Sequence, residues 1–376
     1  MGFHERRDKR LPKVIPERIK EAREARGLTV EDFADALGLT RQAIAQHETG
    51  QTMPSAETLS KIISATALPP SFFVSHRDRS LHETPFWRGL KRMEQHHRRR
   101  ILRRLEWARD IATYVERFID TPRINLPEIS FDSEIDDAEQ IEIAAETLRD
   151  FWGLGRGPLR DLPLTLEKNG VVLVCERVAC PDMDAVSCWQ GGRPYLLYSA
   201  EIKSGPRGMF NLSHELGHIL LHAGVQVSVK NIDRIEKQAN RFAAAFLLPR
   251  ETFGREVLGN SISYFKTLKM RWGVAIAAMA YRAKDLEILT PNQYSYVLKQ
   301  MNILGIRKVE PLDDVFPVGN PSLLSEAVKM IVDHGVQTRE QVESALNLNL
   351  EDVEAICGVQ SGFLNAKVVP FELRRR

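Results

Sequence analysis

The most constraining feature of the sequence is a pair of histidines four residues apart inside an apolar segment. The five residues read His-Glu-Leu-Gly-His and begin at His214. On a helix, residues four apart lie one turn apart on the same face, so the rings of His214 and His218 can meet one metal ion. Glu215 lies at the flank of that face, where a carboxylate can take a proton from a water activated by the metal. The pattern predicts a zinc site with Glu215 as general base; the alternative is a buried helix with two hydrogen-bonded histidines.

A third ligand has to come from outside this helix. His222 continues the four-residue spacing, but it rises about 12 Å from His214, whereas ligands of one zinc ion lie about 3–3.5 Å apart. We therefore interpret His222 as a packed histidine or a group that supports a ligand. Glu236 suits better, because it shares a helix face with small and apolar residues, where a carboxylate needs a cation. Asp233-x-x-Glu236 also has capping-box spacing, so a helix cap is the alternative for Glu236, and Asp233 is a second-choice ligand.

The front of the chain carries four short helical patterns between residues 14 and 70, and its charge differs from that of the rest. Residues placed to begin these helices are Pro16, Thr29, Thr40 and Ser55, and residues placed to end the first three are Gly27, Gly38 and Gly50. Residues 1–120 carry a formal charge of +6, and the remaining residues carry −4. A basic front joined to an acidic body indicates contact with nucleic acid at the front.

Residues 28–59, LTVEDFADALGLTRQAIAQHETGQTMPSAETL, resemble the phage-repressor (XRE/Cro-like) helix-turn-helix family, and the resemblance covers roughly 14–70. It implies that the third helix enters the major groove of a double-stranded DNA operator, anchored by Ile44. The residues that would face DNA are Thr40, Arg41, Gln42 and Gln46. Arginine pairs with guanine and glutamine with adenine through two hydrogen bonds each. Paired half-sites in such operators imply a homodimer; the alternative is a helical bundle that has lost DNA binding.

A strongly basic segment follows this front. Residues 88–104 contain eight lysines and arginines against the single acid Glu94, and apolar positions at helical spacing continue to Asp120. We predict one long amphipathic helix whose apolar face packs on the body of the protein or on a second copy. Its basic face either holds the phosphate backbone of DNA or is a solvated charged surface. Residues 122–127 begin and end with proline and are interpreted as a linker.

The remaining patterns predict a helix, three short strands and further helices. The predicted fold is therefore mainly α with a small β-sheet (α+β): a repressor-like domain over 14–70, a basic linker helix over 71–127, a zincin-like peptidase domain over 128–310 and a small helical C-terminal domain over 311–376. Residues 184–189 form a strand before the His-Glu-Leu-Gly-His helix. This strand either holds a substrate as an added β-strand or lies inside the sheet.

The body resembles the ImmA/IrrE family of zinc metallopeptidases over roughly residues 138–255. The segments NLSHELGHILLH and EKQANRFAAAFLLP are specific together. The resemblance implies zinc held by His214, His218 and Glu236, with Glu215 as general base. Members of this family fuse a repressor-like front to a peptidase body and typically relieve repression by cleaving a DNA-binding repressor, often under stress.

The leading hypothesis is a DNA-binding transcriptional regulator whose zinc endopeptidase domain cleaves a repressor or other regulatory protein, in a stress, phage or mobile-element response. The alternatives are a non-proteolytic regulator that uses the peptidase fold as a sensor or dimerisation body, and an antitoxin-like protein. With 43% hydrophobic and 27% charged residues, the composition is that of a globular protein, and no apolar run is long enough to span a bilayer. The first residues lack an apolar signal core, and the four cysteines form no C-x-x-C pair, so we expect a cytoplasmic protein without a membrane partner.

Overall fold

The computed structural model describes residues 13–77, 93–135, 137–177, 180, 183–317 and 319–365. The helices up to residue 115 are α1 (Pro16–Ala25), α2 (Val30–Leu37), α3 (Arg41–Thr49), α4 (Ala56–Thr66) and α5 (Gln95–Val115). Those up to residue 247 are α6 (Ala138–Phe151), α7 (Leu162–Lys168), α8 (Gly205–Leu221) and α9 (Ile232–Leu247). The last seven are α10 (Arg250–Glu256), α11 (Ile262–Trp272), α12 (Ile276–Asp285), α13 (Pro291–Ile303), α14 (Leu323–Asp333), α15 (Arg339–Leu346) and α16 (Leu350–Cys357). The strands are β1 (Val172–Glu176), β2 (Ala185–Gln190) and β3 (Arg193–Ser199), so the predicted mainly α fold with a small sheet is confirmed.

Contacts divide the chain into two compact units. Among the described residues, the first unit contains 13–77, 94–114 and 329–365, and the second contains 115–328 with residue 93. The division therefore falls within α14, whereas the sequence places a boundary before residue 311. The domain boundaries inferred from the sequence stay predictions.

In the first unit, helices α1 to α4 begin and end close to the predicted signals. The Thr29 side chain and Asp32 form a reciprocal capping box at the start of α2. Thr40 Oγ1 accepts a hydrogen bond from the backbone N–H of Ala43 at the start of α3. Gly38 and Gly50 end α2 and α3 with φ values of 66° and 76°, a left-handed conformation that glycine adopts without strain. The helix-turn-helix geometry of the front therefore follows from local signals.

The basic helix α5 differs from its prediction. It ends at Val115 instead of Asp120, and every residue from Arg104 to Arg109 is buried. Arg103 donates hydrogen bonds to Glu24 of α1 and to Glu106 of α5. Arg103 is therefore neither a solvated charge nor a phosphate contact. The reason is that α1 supplies an acid that the sequence pattern of α5 does not reveal. Of the other basic residues in the segment, Arg88, Lys91 and Arg92 lie outside the described residues.

The C-terminal helix α16 joins the same unit through one buried carboxylate. Asp352 accepts two hydrogen bonds from Arg26, at 2.8 and 2.7 Å, and one from Arg104 of α5 at 2.5 Å. Asn349, the N-cap of α16, donates to the backbone carbonyl of Ala67 after α4. The last described helices are thus part of the unit that contains the helix-turn-helix.

In the second unit, the sheet has the strand order β1-β3-β2, with β1 parallel and β2 antiparallel to the central β3. Gly191 and Gly192 form the tight turn between β2 and β3 with φ values of 59° and 74°, as the predicted hairpin requires. The sheet shares one hydrophobic core with α6, α8, α9, α11 and α12. Strand β2 is therefore an edge strand of this sheet.

Helices α8 and α9 approach each other closely at Gly217. A Cβ atom at Gly217 would lie 3.0 Å from Cδ1 of Phe242 and 3.3 Å from Cα of Ala239, both on α9. These distances are shorter than an ordinary van der Waals contact, so a larger side chain would push the two helices apart. The glycine inside the His-Glu-Leu-Gly-His segment therefore allows α9 to lie directly against the helix that carries the histidines.

Candidate functional site

The site forms between α8, α9 and strand β2 of the second unit. His214, Glu215 and His218 lie on α8 and are 1–2% exposed. Three side chains that could hold a metal ion lie together here: His214, His218 and Glu236 of α9. The structure therefore brings together the three residues that the sequence suggests as ligands, with Glu215 beside them on α8.

The spacing of the three donor groups matches one small ion. The two Nε2 atoms of His214 and His218 lie 3.0 Å apart. The Glu236 oxygens lie 3.4 Å from Nε2 of His214 and 3.5 Å from Nε2 of His218. A tetrahedral zinc with bonds of about 2.1 Å separates its ligand atoms by roughly 3.4 Å. The side chains are thus arranged at ligand distances.

The tautomer of His214 also suits a ligand. Its Nδ1 lies 3.0 Å from Oδ1 of Asn240, an amide oxygen that only accepts hydrogen bonds. With Nδ1 donating to this oxygen, the Nε2 of His214 presents its lone pair towards His218 and Glu236. A lone pair directed at another nitrogen 3.0 Å away and at a carboxylate is favourable when a cation lies between them. The donor set therefore fits zinc.

The alternative role of Glu236 as a helix cap does not agree with the structure. Helix α9 begins at Ile232 with Asn231 as N-cap, and no side-chain hydrogen bond closes this end. Asp233 lies inside the first turn and is exposed, away from the His-His-Glu group. The capping-box interpretation is therefore wrong, because the helix begins two residues earlier than that interpretation requires.

His222 lies one turn beyond His218 and ends α8 as its C-cap. Its Nδ1 lies 3.0 Å from Nδ1 of His218, and its Nε2 lies 2.9 Å from Oε1 of Gln238. Burial lowers the pKa of His222 to about 3, and the neighbouring His218 acts in the same direction, so the ring is neutral near pH 7. As the helix geometry predicted, His222 contacts a candidate ligand and does not join the ligand group.

Glu215 is held by a residue to which the sequence analysis assigned no role. Ser187 of β2 is fully buried, and its Oγ donates to Oε2 of Glu215 at 2.6 Å. This hydrogen bond fixes the carboxylate beside the candidate metal ligands. The sequence does contain one signal for this contact. Ser187 is a polar residue inside the apolar strand AVSCWQ, and a buried hydroxyl needs a hydrogen-bond partner.

Of the four residues expected to face DNA, Thr40 is the N-cap of α3 in the first unit, and Arg41, Gln42 and Gln46 lie on that helix. Thr40, Arg41 and Gln42 are exposed, and Gln46 is half-buried. Ile44 of the same helix is fully buried, in agreement with its expected role as an anchor. Arg41 forms an exposed ion pair with Glu31 of α2 at 3.5 Å. Exposed ion pairs contribute little free energy, so Arg41 can exchange Glu31 for another anion at little cost. The N-terminal half of α3 is thus a polar surface available for contact.

Two family models match the chain, in the order predicted from its motifs. The helix-turn-helix model covers residues 19–73, and the IrrE N-terminal-like domain (Peptidase_M78) covers residues 166–284. No curated protein matches the chain. None of the described helices is long and apolar enough to cross a membrane. The chain therefore carries a helix-turn-helix domain followed by a peptidase-family domain, which supports a DNA-binding regulator that contains a peptidase-family domain.

Proposed function

We propose that this protein is a transcriptional regulator that binds double-stranded operator DNA and cleaves a regulatory protein with a zinc-dependent endopeptidase site. The observation that carries the proposal is the His214–His218–Glu236 group at zinc-ligand distances, with Glu215 held next to it. The substrate that suits such a regulator is a repressor, and we place the reaction in the cytoplasm as part of a stress, phage or mobile-element response.

The roles follow from the positions of the side chains. His214, His218 and Glu236 would hold Zn²⁺, which acidifies a water molecule and polarises a peptide carbonyl. Glu215 accepts the proton of the attacking water and passes it to the leaving amine. Ser187 keeps the Glu215 carboxylate oriented for both transfers. Edge strand β2 offers a backbone on which an extended substrate can pair as an added strand.

DNA binding is proposed to use α3, with Thr40, Arg41, Gln42 and Gln46 in the major groove. The support is the exposed position of three of these side chains and the match of residues 19–73 to a helix-turn-helix model. We further propose a homodimer, because operators for this motif are paired half-sites.

The experiment combines metal analysis with mass spectrometry of cleavage products. The purified protein should contain one zinc per chain, and it should cut a candidate repressor encoded nearby when zinc is present. A Glu215→Gln variant should keep its zinc and lose cleavage, whereas a His214→Ala/His218→Ala variant should lose both. A wild type without zinc, or undiminished cleavage by Glu215→Gln, would refute the proposed chemistry.

One observation favours a second function in which the domain is a sensor or dimerisation body without proteolysis. The side chains of His214, Glu215 and His218 are only 1–2% exposed and that of Glu236 is 16% exposed, so the group offers little surface to a peptide. In that case the protein would bind zinc, and the candidate repressor would stay intact through long incubation, with the same result for the wild type and Glu215→Gln.

A further inference from the structure

We infer that Gln238 and His222 are positioning residues of the metal site, which hold His218 in the tautomer that directs its Nε2 lone pair at the metal. The inference rests on the proposed zinc site and adds to it two residues outside the ligand set. It is carried by a continuous chain of hydrogen bonds that we call the amide–imidazole relay: Gln238, His222 and His218. All three side chains are at most 1% exposed.

The relay begins at the backbone of the segment before α6. Gln238 Nε2 donates to the carbonyl oxygens of Ser133 at 3.2 Å and Ile135 at 3.0 Å. Because carbonyl oxygens only accept hydrogen bonds, these contacts determine which end of the amide is nitrogen. Arg234 Nε donates to the same Ser133 carbonyl at 2.7 Å and holds this segment on α9. The amide oxygen of Gln238 is thereby turned towards His222.

The direction of the remaining hydrogen bonds follows from this orientation. The amide oxygen of Gln238 accepts only, so His222 Nε2 carries a proton and donates to it across 2.9 Å. The neutral imidazole has one N–H, and its Nδ1 is therefore an acceptor. His218 Nδ1 lies 3.0 Å from that acceptor and must donate. The Nε2 of neutral His218 is then unprotonated, as a zinc ligand requires.

The two candidate ligand histidines are therefore oriented from the same helix in different ways. Asn240 accepts directly from His214 Nδ1, whereas Gln238 reaches His218 Nδ1 only through His222. Glu236, Gln238 and Asn240 alternate along α9, so one helix presents a carboxylate to the metal and an amide oxygen towards each imidazole. The His222 ring bridges Gln238 and His218, so Gln238 does not need to contact His218 directly.

The test is the zinc affinity of the full-length protein, measured by competition with a chelator of known affinity. Changing a residue that orients a ligand typically weakens metal binding 10–100-fold. We expect a loss of about that size for His222→Phe, which keeps a ring of similar size without an acceptor. His222→Asn places an amide oxygen near the former Nδ1 and should recover most of the affinity. Gln238→Leu should weaken binding in the wild-type background and add little to His222→Phe, because the two changes break one chain of contacts.

Ser213→Ala is the matched control. Ser213 is fully buried next to His214, and its hydroxyl donates to the backbone carbonyl of Met209 on its own helix. The Ser213→Ala variant should bind zinc with the affinity of the wild type. Equal zinc affinity in the wild type and His222→Phe would overturn the relay. An equal loss of zinc affinity in His222→Phe and Ser213→Ala would also overturn it, because such a loss indicates a packing effect. A wild type that binds no zinc would instead overturn the proposed function, on which the relay depends. If His222→Phe does not fold, as judged by urea denaturation, the same criteria apply to Gln238→Leu.

Discussion

Removal of the Asp352 side chain should destabilise the unit that contains the helix-turn-helix. Its carboxylate lies between Arg26 and Arg104, and the Arg104 side chain is only 4% exposed. Removing one partner of a buried ion pair leaves the other charge without compensation and costs about 3–5 kcal/mol. Arg26 is 23% exposed and can turn partly to water, whereas the Arg104 side chain stays in the interior. We expect Asp352→Ala to lower the free energy of unfolding of this unit by that amount.

Thermal denaturation measures this effect. For a unit of this size, a loss of about 3–5 kcal/mol corresponds to a fall in melting temperature of roughly 10–20 °C. Glu351→Ala is the matched control, because Glu351 is the preceding residue on α16 and is exposed. Asp352→Asn should be nearly as harmful as Asp352→Ala, since it keeps the shape and removes the charge. A surface substitution changes the melting temperature by at most about 2 °C. If the melting temperatures of Asp352→Ala and Glu351→Ala differ by less than about that amount, the buried ion pairs of Asp352 do not stabilise the unit as argued.

The pH dependence gives a second check on the same residue. Burial by itself raises the pKa of Asp352, but the hydrogen bond from Arg26 and the charges of Arg104 and Arg26 outweigh it and hold the pKa below its ordinary value of 3.8. Because the pKa of Asp352 is lowered in the folded state, its carboxylate stabilises the protein at pH values above the ordinary pKa. This stabilisation is lost as the pH falls through the lowered pKa of the folded state. The difference between wild type and Asp352→Ala should therefore be constant above about pH 5 and shrink below pH 4.

Four further substitutions test other parts of the structure. Ser187→Ala should leave zinc affinity unchanged and lower the cleavage rate, because the Glu215 carboxylate loses the hydroxyl that orients it; a parallel loss of zinc would contradict this separation. Gly217→Val should destabilise the peptidase-family unit by about 1–3 kcal/mol in urea denaturation, since its side chain would enter the 3.0–3.3 Å approach of α9, and unchanged stability would contradict the close packing. Arg41→Ala and Gln42→Ala should each weaken operator binding by about 1–3 kcal/mol in a gel-shift titration at fixed salt, and operator affinity equal to that of the wild type would argue against α3 as the recognition helix.

Much of the candidate metal site follows from short-range patterns. The four-residue histidine spacing places two donors on one face of α8, and helix rise excludes His222 as a third ligand. The same patterns do not reveal which residues orient the donors. Ser187 and Glu215 are 28 residues apart in the chain, and Gln238 is 16 residues from His222. A helical period indicates which face of a helix is buried, but it does not indicate which side chain lies opposite.

The basic helix α5 illustrates the limit of the sequence. Its charge pattern predicted either a phosphate-binding or a solvated surface, whereas half-buried Arg103 and buried Arg104 pair with acids of other helices. The partner of Arg104 is 248 residues away. Nothing local in either segment specifies that pairing, because it depends on how α5 and α16 pack within one unit.

The amino-acid sequence by itself determined the local structure of this protein: the capped helices of the front, the hairpin at Gly191 and Gly192, and the histidine-bearing face of α8. These features depend on backbone preferences, hydrogen bonds and helix periodicity within a few residues. Only the tertiary structure decided that α9 lies close enough to place Glu236 at ligand distance, that an amide on α9 reaches His218 through His222, and that α16 joins the unit of the helix-turn-helix. The physical reason is that buried charges and amides need partners, and packing alone determines which partner each one meets.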